Sequence, residues 1–501
     1  MPKRILLLPA LFLSVAGVAH AQLISIRTVP ISQAHQFDIF PSYTMAMGGV
    51  SIAVADSLLD PFTNPAKGSR LGAARFFGSP TVYSVSSDAG GGRTFPLGAL
   101  AKAGSWHGGV ALALQEVDLS DRNDFFFPQP FACPACEAEG IDLGSNERSH
   151  GNAYVFAMAG RELSGGVSVG GSLFWSQLHA IDGVDLLYAG SARVKQYGDA
   201  VDLRLGLLKE WPGDRSLETM VLYNRYATTH DVFYLDFFWD PGAQQAFQQP
   251  RLEQNLDRTN TWGLHVEYEQ PISATGWRIG GLATVNLASH PKIPNYEIQN
   301  IPRDPGNSQA FNVGVGVAKV HEATTFAVDV VYEPIWSNTW ADAAEPIQTV
   351  DGETIPAGGK TIENDFRFSN ALLRMGIAQD LAVFDEGRKA LGLQLGVVVR
   401  NISYSLDQTD NVQLSERHLE EQWVEWSPTW GLSFRFPALE IRYRGSATNG
   451  TGRPGVENGG GRVLQADVAR AGNIIVAPSG PLTLDEVTVI THQFSLSLPL
   501  R

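Results

Sequence analysis

Beyond its first 21 residues the chain has no apolar run approaching the ~20 residues that a membrane-spanning helix requires. That leaves a soluble protein or a closed barrel, because only helices and closed barrels satisfy every backbone polar group in lipid. Cysteine is almost missing. The only two, Cys133 and Cys136, stand in FACPACEAEG, a Pro-containing loop without a second pair. A redox C-x-x-C opens a helix in a βαβ context, so a small loop disulfide or idle thiols is the reading here rather than a redox centre or half a metal site. Basic residues are outnumbered, 37 Lys and Arg against 52 Asp and Glu, and the net charge of −15 argues against nucleic acid or an anionic membrane surface as partner. There is no G-x-S-x-G elbow, no H-E-x-x-H and no phosphate-binding loop. The 11 histidines form no pair with ligand spacing, and His265 and His492 fall in mid-strand without a nucleophile beside them. The expectation is a non-enzyme with no cofactor and no metal.

What is present begins with an export signal. Lys3 and Arg4 precede an apolar stretch over 5–18, and Ala19-His20-Ala21 supplies an A-x-A cleavage site, so 1–21 reads as a signal peptide. No cysteine follows the site, which excludes a lipoprotein leader. The remainder leans toward β structure, with 51 glycines, 10% aromatic and only 18% charged residues. No Ser- or Pro-rich linker divides it, so one large barrel accounts for its length as well as several domains do.

From residue 73 onward the chain breaks into segments with period-2 alternation. Phe311, Val313, Val315 and Val317 alternate with Asn312, Gly314, Gly316 and Ala318; Trp430, Leu432, Phe434 and Phe436 oppose Gly431, Ser433 and Arg435. Candidate strands are 73–86, 94–103, 105–117, 150–161, 165–179, 198–210, 215–230, 258–270, 275–288, 308–320, 323–337, 365–380, 388–405, 428–436, 438–446 and 486–499. Pro96 weakens the second and 428–436 is short. The connections alternate: short ones at 104, 162–164, 211–214, 271–274, 321–322, 381–387 and 437, long ones over 119–150, 180–197, 231–256, 289–306, 338–364, 406–427 and 447–485. Outer-membrane barrels have short periplasmic turns and long external loops. A soluble propeller or lectin, the remaining alternative, has no reason to put every long loop on one side.

The strand faces opposite the apolar ones carry charge, including Arg204, Arg278, Asp329, Arg374, Arg400, Arg435 and Arg442, with Asp202, Glu218, His265, Glu267, Arg367, Glu440 and Arg444. In a barrel they must point inward, because Arg or Lys at the lipid midplane costs about 2–4 kcal/mol. They either hold a plug or line a mixed-selectivity pore. Two long loops are aromatic: Phe125, Phe126, Phe127 and Phe131 in the first, and Phe233, Phe237, Phe238 and Trp239 in another. Exposed clusters of this kind mark interaction sites, here for capturing an apolar ligand, unless they pack loop on loop or extend strands above the membrane.

Residues 43–75 read YTMAMGGVSIAVADSLLDPFTNPAKGSRLGAAR. Gly48-Gly49 permits positive φ and close backbone approach, and Asn64 can cap a turn that opens at Pro65. The AMGG, Ala55-Asp56 and Asn64-Pro65-Ala66 arrangement resembles the N-terminal hatch of FadL-like outer-membrane barrels, the long-chain fatty acid transporter family, and of their PorV-type relatives. The resemblance implies an all-β transmembrane antiparallel barrel of about 14 strands (14–16), with 22–72 as a luminal hatch and 73–501 as the barrel. It makes Gly48, Gly49, Asp56, Asn64, Pro65 and Ala66 the hatch residues. It places the chain, as a monomer in outer-membrane lipid of a Gram-negative-type bacterium, in one of two roles. Either it is a passive transporter of hydrophobic compounds, or it attaches and shuttles secreted proteins and transports nothing. One departure stands out: the last candidate strand runs out in Pro499-Leu500-Arg501 rather than on the aromatic residue usual in such barrels.

Overall fold

The structure is a computed structural model that describes residues 36–37, 39–86, 90–118, 149–181, 193–240, 245–272, 276–289, 306–343, 345–384, 389–454 and 484–500. Within these a few stretches, 234–240 and 245–251 the longest, are described by backbone alone.

Alternation in the sequence becomes alternation of exposure. On β4 (Trp106–Asp118) Val110, Leu112 and Leu114 are exposed while Ala111, Ala113 and Gln115 are buried. The same pattern holds on β11 (Gly306–His321), where Val313 and Val315 face out and Asn312 and Ala318 face in. A sheet with one apolar outer face and a polar or small-residue inner face can satisfy its edges by closing on itself. It does so: successive strands pair antiparallel around the ring, and β19 (Leu484–Leu500) returns to pair with β1 (Ala74–Gly78) and β2 (Thr81–Val85). The remaining wall strands are β3 (Gly91–Ala103), β5 (Ser149–Leu163), β6 (Val167–Leu178), β7 (Arg193–Trp211), β8 (Arg215–Asp240), β9 (Gln245–Pro271), β10 (Trp277–Ser289), β12 (Thr324–Asp342), β15 (Lys360–Phe384), β16 (Lys389–Asp410), β17 (Ser415–Phe436) and β18 (Leu439–Pro454). A two-stranded ribbon, β13 (Ile347–Gln348) with β14 (Thr354–Ile355), stands outside the wall.

Counting β1 and β2 as one interrupted strand, the barrel has 16 strands, a hairpin more than the 14 the family resemblance implies. The interruption corrects the expected continuous strand over 73–86. Pro80 has no N–H for the ladder, and Pro96 on β3 faces the same gap; Ser79 N–H donates to the Pro96 carbonyl at 3.2 Å across it. Pro96 therefore sits where the ladder is already broken, and β3 runs through it intact.

Two expected long loops are also corrected. Residues 231–256 and 406–427 are mostly strand, since β8 pairs with β9 from Ser216↔Glu269 out to Asp240↔Gln245, and β16 with β17 out to Asp410↔Ser415. Outside the aromatic run 232–239 these stretches are mostly polar in sequence, so the loss of hydrophobic alternation there does not signal irregular structure. Arg367 moves as well: it lies on the outer face of β15 with its side chain 59% exposed, next to Asp365 at 3.4 Å. The leader, Phe125, Phe126, Phe127, Phe131, Cys133 and Cys136 lie outside the described residues.

Candidate functional site

Short elements hold the N-terminal segment in shape before it meets the wall. Asp56 is the knot. Its Oδ2 accepts from Ser42 Oγ, from Tyr43 N at 2.7 Å and from Thr44 N at 3.1 Å, and its Oδ1 accepts from Leu58 N and Leu59 N. Asn64 caps the 3₁₀ turn Pro65–Arg70, its Oδ1 accepting from Ala66 N at 3.1 Å. Gly48 and Gly49 take φ of 75° and 69°, in the left-handed region.

Contacts from this segment reach around the ring. Lys102 on β3 donates to Ser69 O at 2.6 Å, and His107 on β4 lies 3.0 Å from Pro65 O. Phe62 and Phe40 stack 4.0 Å apart, and both pack on Phe156 of β5. Arg204 on β7 donates to Thr63 O at 3.0 Å. Asp329 on β12 accepts from Ser51 N at 2.7 Å, and Arg374 on β15 donates to Gly49 O at 3.3 Å. Gln394 on β16 donates to Tyr43 O, and Thr429 on β17 both donates to Ala46 O and accepts from Gly48 N. On β18 the Arg442 guanidinium lies 3.3 Å from the centre of the Tyr43 ring, and Gln493 on β19 donates to Phe40 O at 3.4 Å.

Inward-facing glycines make the close approach feasible. A Cβ added at Gly170 would meet Pro65, at Gly206 Asn64, at Gly280 and Gly316 Ile52, at Gly376 Met47, at Gly396 Gly48 and at Gly431 Ala46. Six of these sit as cross-strand neighbours, Gly170↔Gly206, Gly280↔Gly316 and Gly376↔Gly396. Gly48 completes the fit from the other side, where a Cβ would come within 2.8 Å of Val397 O and 2.9 Å of Met375 O.

On the opposite side of the ring the contacts are ionic. Lys67 Nζ lies 2.9 Å from Glu218 Oε2 on β8 and 3.6 Å from Asp60. Asn64 Nδ2 donates to the same Glu218 oxygen at 3.2 Å, and Arg70 pairs with Glu210 on β7 at 2.9 Å. Burial pushes the Asp60 carboxyl up to about 7; Lys67 and Arg70 pull against this, while Asp56 and Glu218 add to it. Burial works against the Lys67 ammonium, but Asp60, Glu218 and Glu267 overcome it and hold its pKa above the usual lysine value.

Arg204, Arg278, Asp329, Arg374, Arg400, Arg435 and Arg442 lie on the inner face by their strand parity, unlike Arg367. Arg204, Asp329, Arg374 and Arg442 touch the N-terminal segment as described. Arg278 pairs with Glu269 at 2.6 Å and Arg435 with Asp380 at 2.8 Å, both near the short-turn end. Arg400 is paired in register with Leu372. Phe233 belongs to β8, where the Arg193 guanidinium lies 5.9 Å from its ring; Phe237, Phe238 and Trp239 continue the same strand, and their side chains lie outside the described residues. The glycines of the wall and the group Asp60, Lys67, Glu218, His265 and Glu267 are not brought together by sequence reasoning. The available signal was a single inward-parity glycine recurring on successive strands, and the placing of Glu218 opposite Glu267 when 215–230 pairs with 258–270.

A second inward surface is apolar. Ile335 on β12, Phe366 and Phe368 on β15, and Tyr404 and Leu406 on β16 form one buried cluster with Ala310, and Trp423 of β17 packs on it. It lies toward the long-connection end of β15, beyond Arg374 and Gly376. The outer face carries its own feature, a groove of about 880 Å³ over Ala99, Gly108, Ala157, Gly171, Leu205 and Trp262.

No protein-family model matches this chain, and no curated protein matches it. Solved structures that resemble it include a FadL homologue from Pseudomonas aeruginosa, with 11% identity, 96% of this chain and 99% of that one covered, and a TM-score of 0.43. The CymD monoaromatic hydrocarbon channel is 10% identical over 93% of this chain and 99% of its own, with a TM-score of 0.36. A bacterial polysaccharide outer membrane secretin is 6% identical over 86% of this chain and 99% of its own, with a TM-score of 0.38. At these identities and scores no residue role transfers from them to this chain.

Proposed function

We propose that the chain is an outer-membrane barrel that passes hydrophobic compounds without an energy source, and that residues 22–72 act as a luminal hatch. The exposed outer face, with Leu112, Leu205, Val315 and Phe434 along the strands and Trp106, Trp262, Trp336 and Trp426 among its aromatics, suits lipid and its interfaces. One observation carries the transport reading. The interior of a water-filled porin is polar, yet this barrel turns Ile335, Phe366, Phe368, Tyr404 and Leu406 inward above the segment. An apolar solute gains about 25 cal/mol per Å² of apolar surface removed from water, so an apolar inner surface favours such a solute over a hydrated one. The route then leads past the hatch, since β3–β9 pair without a gap behind the outer groove.

The test is uptake of fatty acids, alkanes and monoaromatics into liposomes containing wild type or the pair Phe366→Ser and Phe368→Ser. Selective loss of apolar uptake supports the reading; unchanged uptake of every solute defeats it. The closed ring of contacts around 36–72 favours a second reading, a non-conducting barrel that attaches secreted proteins. It predicts no uptake of any solute and stable co-purification with an exported protein.

A further inference from the structure

We infer that Glu218, His265 and Glu267 form a site for one divalent first-row transition-metal ion, set in the barrel wall against the N-terminal segment. A ligand nitrogen and two carboxylate oxygens, one from each residue, lie within 4.8 Å of one another. They belong to one patch of the inner face, because Glu218 on β8 is directly opposite Glu267 on β9, and His265 is two residues along the same strand.

The imidazole is the strongest indication. Its side chain is only 9% exposed, and Nδ1 is 2.9 Å from Thr284 Oγ1. Among the described residues Nε2 has no hydrogen bond of ordinary geometry; its neighbours are Glu218 Oε1 at 3.4 Å and Glu267 Oε2 at 3.6 Å. Charge-assisted hydrogen bonds between such groups are about 2.7–2.9 Å long. The edge of a tetrahedron of N and O ligands around zinc is about 3.4 Å, from metal–ligand distances of about 2.0–2.2 Å. The spacing is therefore loose for a direct imidazole–carboxylate bond and right for an ion between the groups. A partner on the far ring nitrogen is also the usual arrangement of a metal-binding histidine.

Charge points the same way. The connected ion pairs around the site join Asp60, Glu210 and Glu218 to Lys67 and Arg70, and His265 links Glu218 to Glu267. With His265 neutral and the carboxylates ionised, the four carboxylates face two cations, and the two negative charges left over equal the charge of one divalent ion. Imidazole with carboxylate selects zinc and its neighbours over magnesium or calcium, which prefer all-oxygen shells.

The site also has a built connection to the segment. Glu218 offers Oε1 to the ion while its Oε2 is held by Lys67 and Asn64 of the N-terminal segment. Metal and docked segment therefore support each other, and by linkage each tightens the other by the same factor. This inference does not rest on transport.

The test uses full-length protein in detergent, stripped with chelator and dialysed against Zn²⁺, with Co²⁺ as a spectroscopic probe and Mg²⁺ as control. One Zn²⁺ per chain is expected, undisturbed by excess Mg²⁺, with Co²⁺ absorption characteristic of a nitrogen ligand. Thr284→Val and Asn64→Ala should each weaken binding by about 10–100-fold, the effect of removing an outer partner of a ligand. His265→Ala and Glu267→Gln should abolish it while leaving the sheet circular dichroism intact. Failure of wild type to hold one ion, or equal binding by either ligand variant, overturns the site. If His265→Ala does not fold, Glu267→Gln decides alone.

Discussion

The two flanks of the N-terminal segment reach the wall by different physics. Residues 45–54 dock by backbone, with Met47, Gly48 and Ile52 lying against Gly280, Gly316, Gly376 and Gly396 and with Asp329 and Thr429 taking the exposed N–H groups. Residues 60–70 add charge, through Lys67 on Glu218 and Arg70 on Glu210, to the packing of Phe62 and the approach of Asn64 and Pro65 to Gly206 and Gly170. A joint made mostly by backbone is less sensitive to solution conditions and intolerant of added volume. An ionic joint responds to pH, salt and any competing cation. A segment held by both can be loosened from one side while staying registered on the other.

The comparison sharpens into four expectations. Lys67→Met removes the cation facing Asp60 and Glu218; stranding buried carboxylates in this way costs about 3–5 kcal/mol, and hydrogen exchange should show 60–70 losing protection well before 45–54. Gly376→Leu does the reverse. Side-chain volume against Met47 forces a shift costing about 1–3 kcal/mol, and protection should fall first over 45–54. The third concerns pH. Asp60 is held up to about 7 when docked, above its ordinary carboxylate value. The docked state therefore binds the proton more tightly, and its stability is greatest at low pH and is lost as pH rises through about 7. Going from pH 6 to pH 8 should weaken docking of 60–70 by about 1.4 kcal/mol, the worth of one pKa unit. Lys67, Arg70, Asp56 and Glu218 face this group, and Asp60→Asn should flatten the profile. Smallest is Asn64→Ala, which removes the cap on Ala66 N at a cost of about 1 kcal/mol, read as a modest, local rise in exchange over 64–70.

The same contrast explains what was legible in the sequence. Alternation fixed the wall because one face meets an apolar surround, and it survived even at β3, where Pro96 meets a ladder already opened by Pro80. It faltered over 240–256 and 406–422, where long hairpins are mostly polar on both parities, and over 232–239, where both parities are apolar. In the segment, Gly48-Gly49 and Asn64-Pro65-Ala66 were readable because positive φ and capping are local properties. The glycines at 170, 206, 280, 316, 376, 396 and 431 were not, since a small residue on an inner face gives no sign of what lies against it. Nor was the approach of Lys67 to Glu218, which depends on two regions separated by some 150 residues meeting across the ring.

The most direct test of the hatch is single-channel conductance in planar bilayers, comparing wild type with a deletion of residues 42–67. The account predicts a closed or barely conducting wild type and a stable, large conductance in the deletion. Equal conductance in the two, with the barrel shown to be folded and inserted, would contradict it.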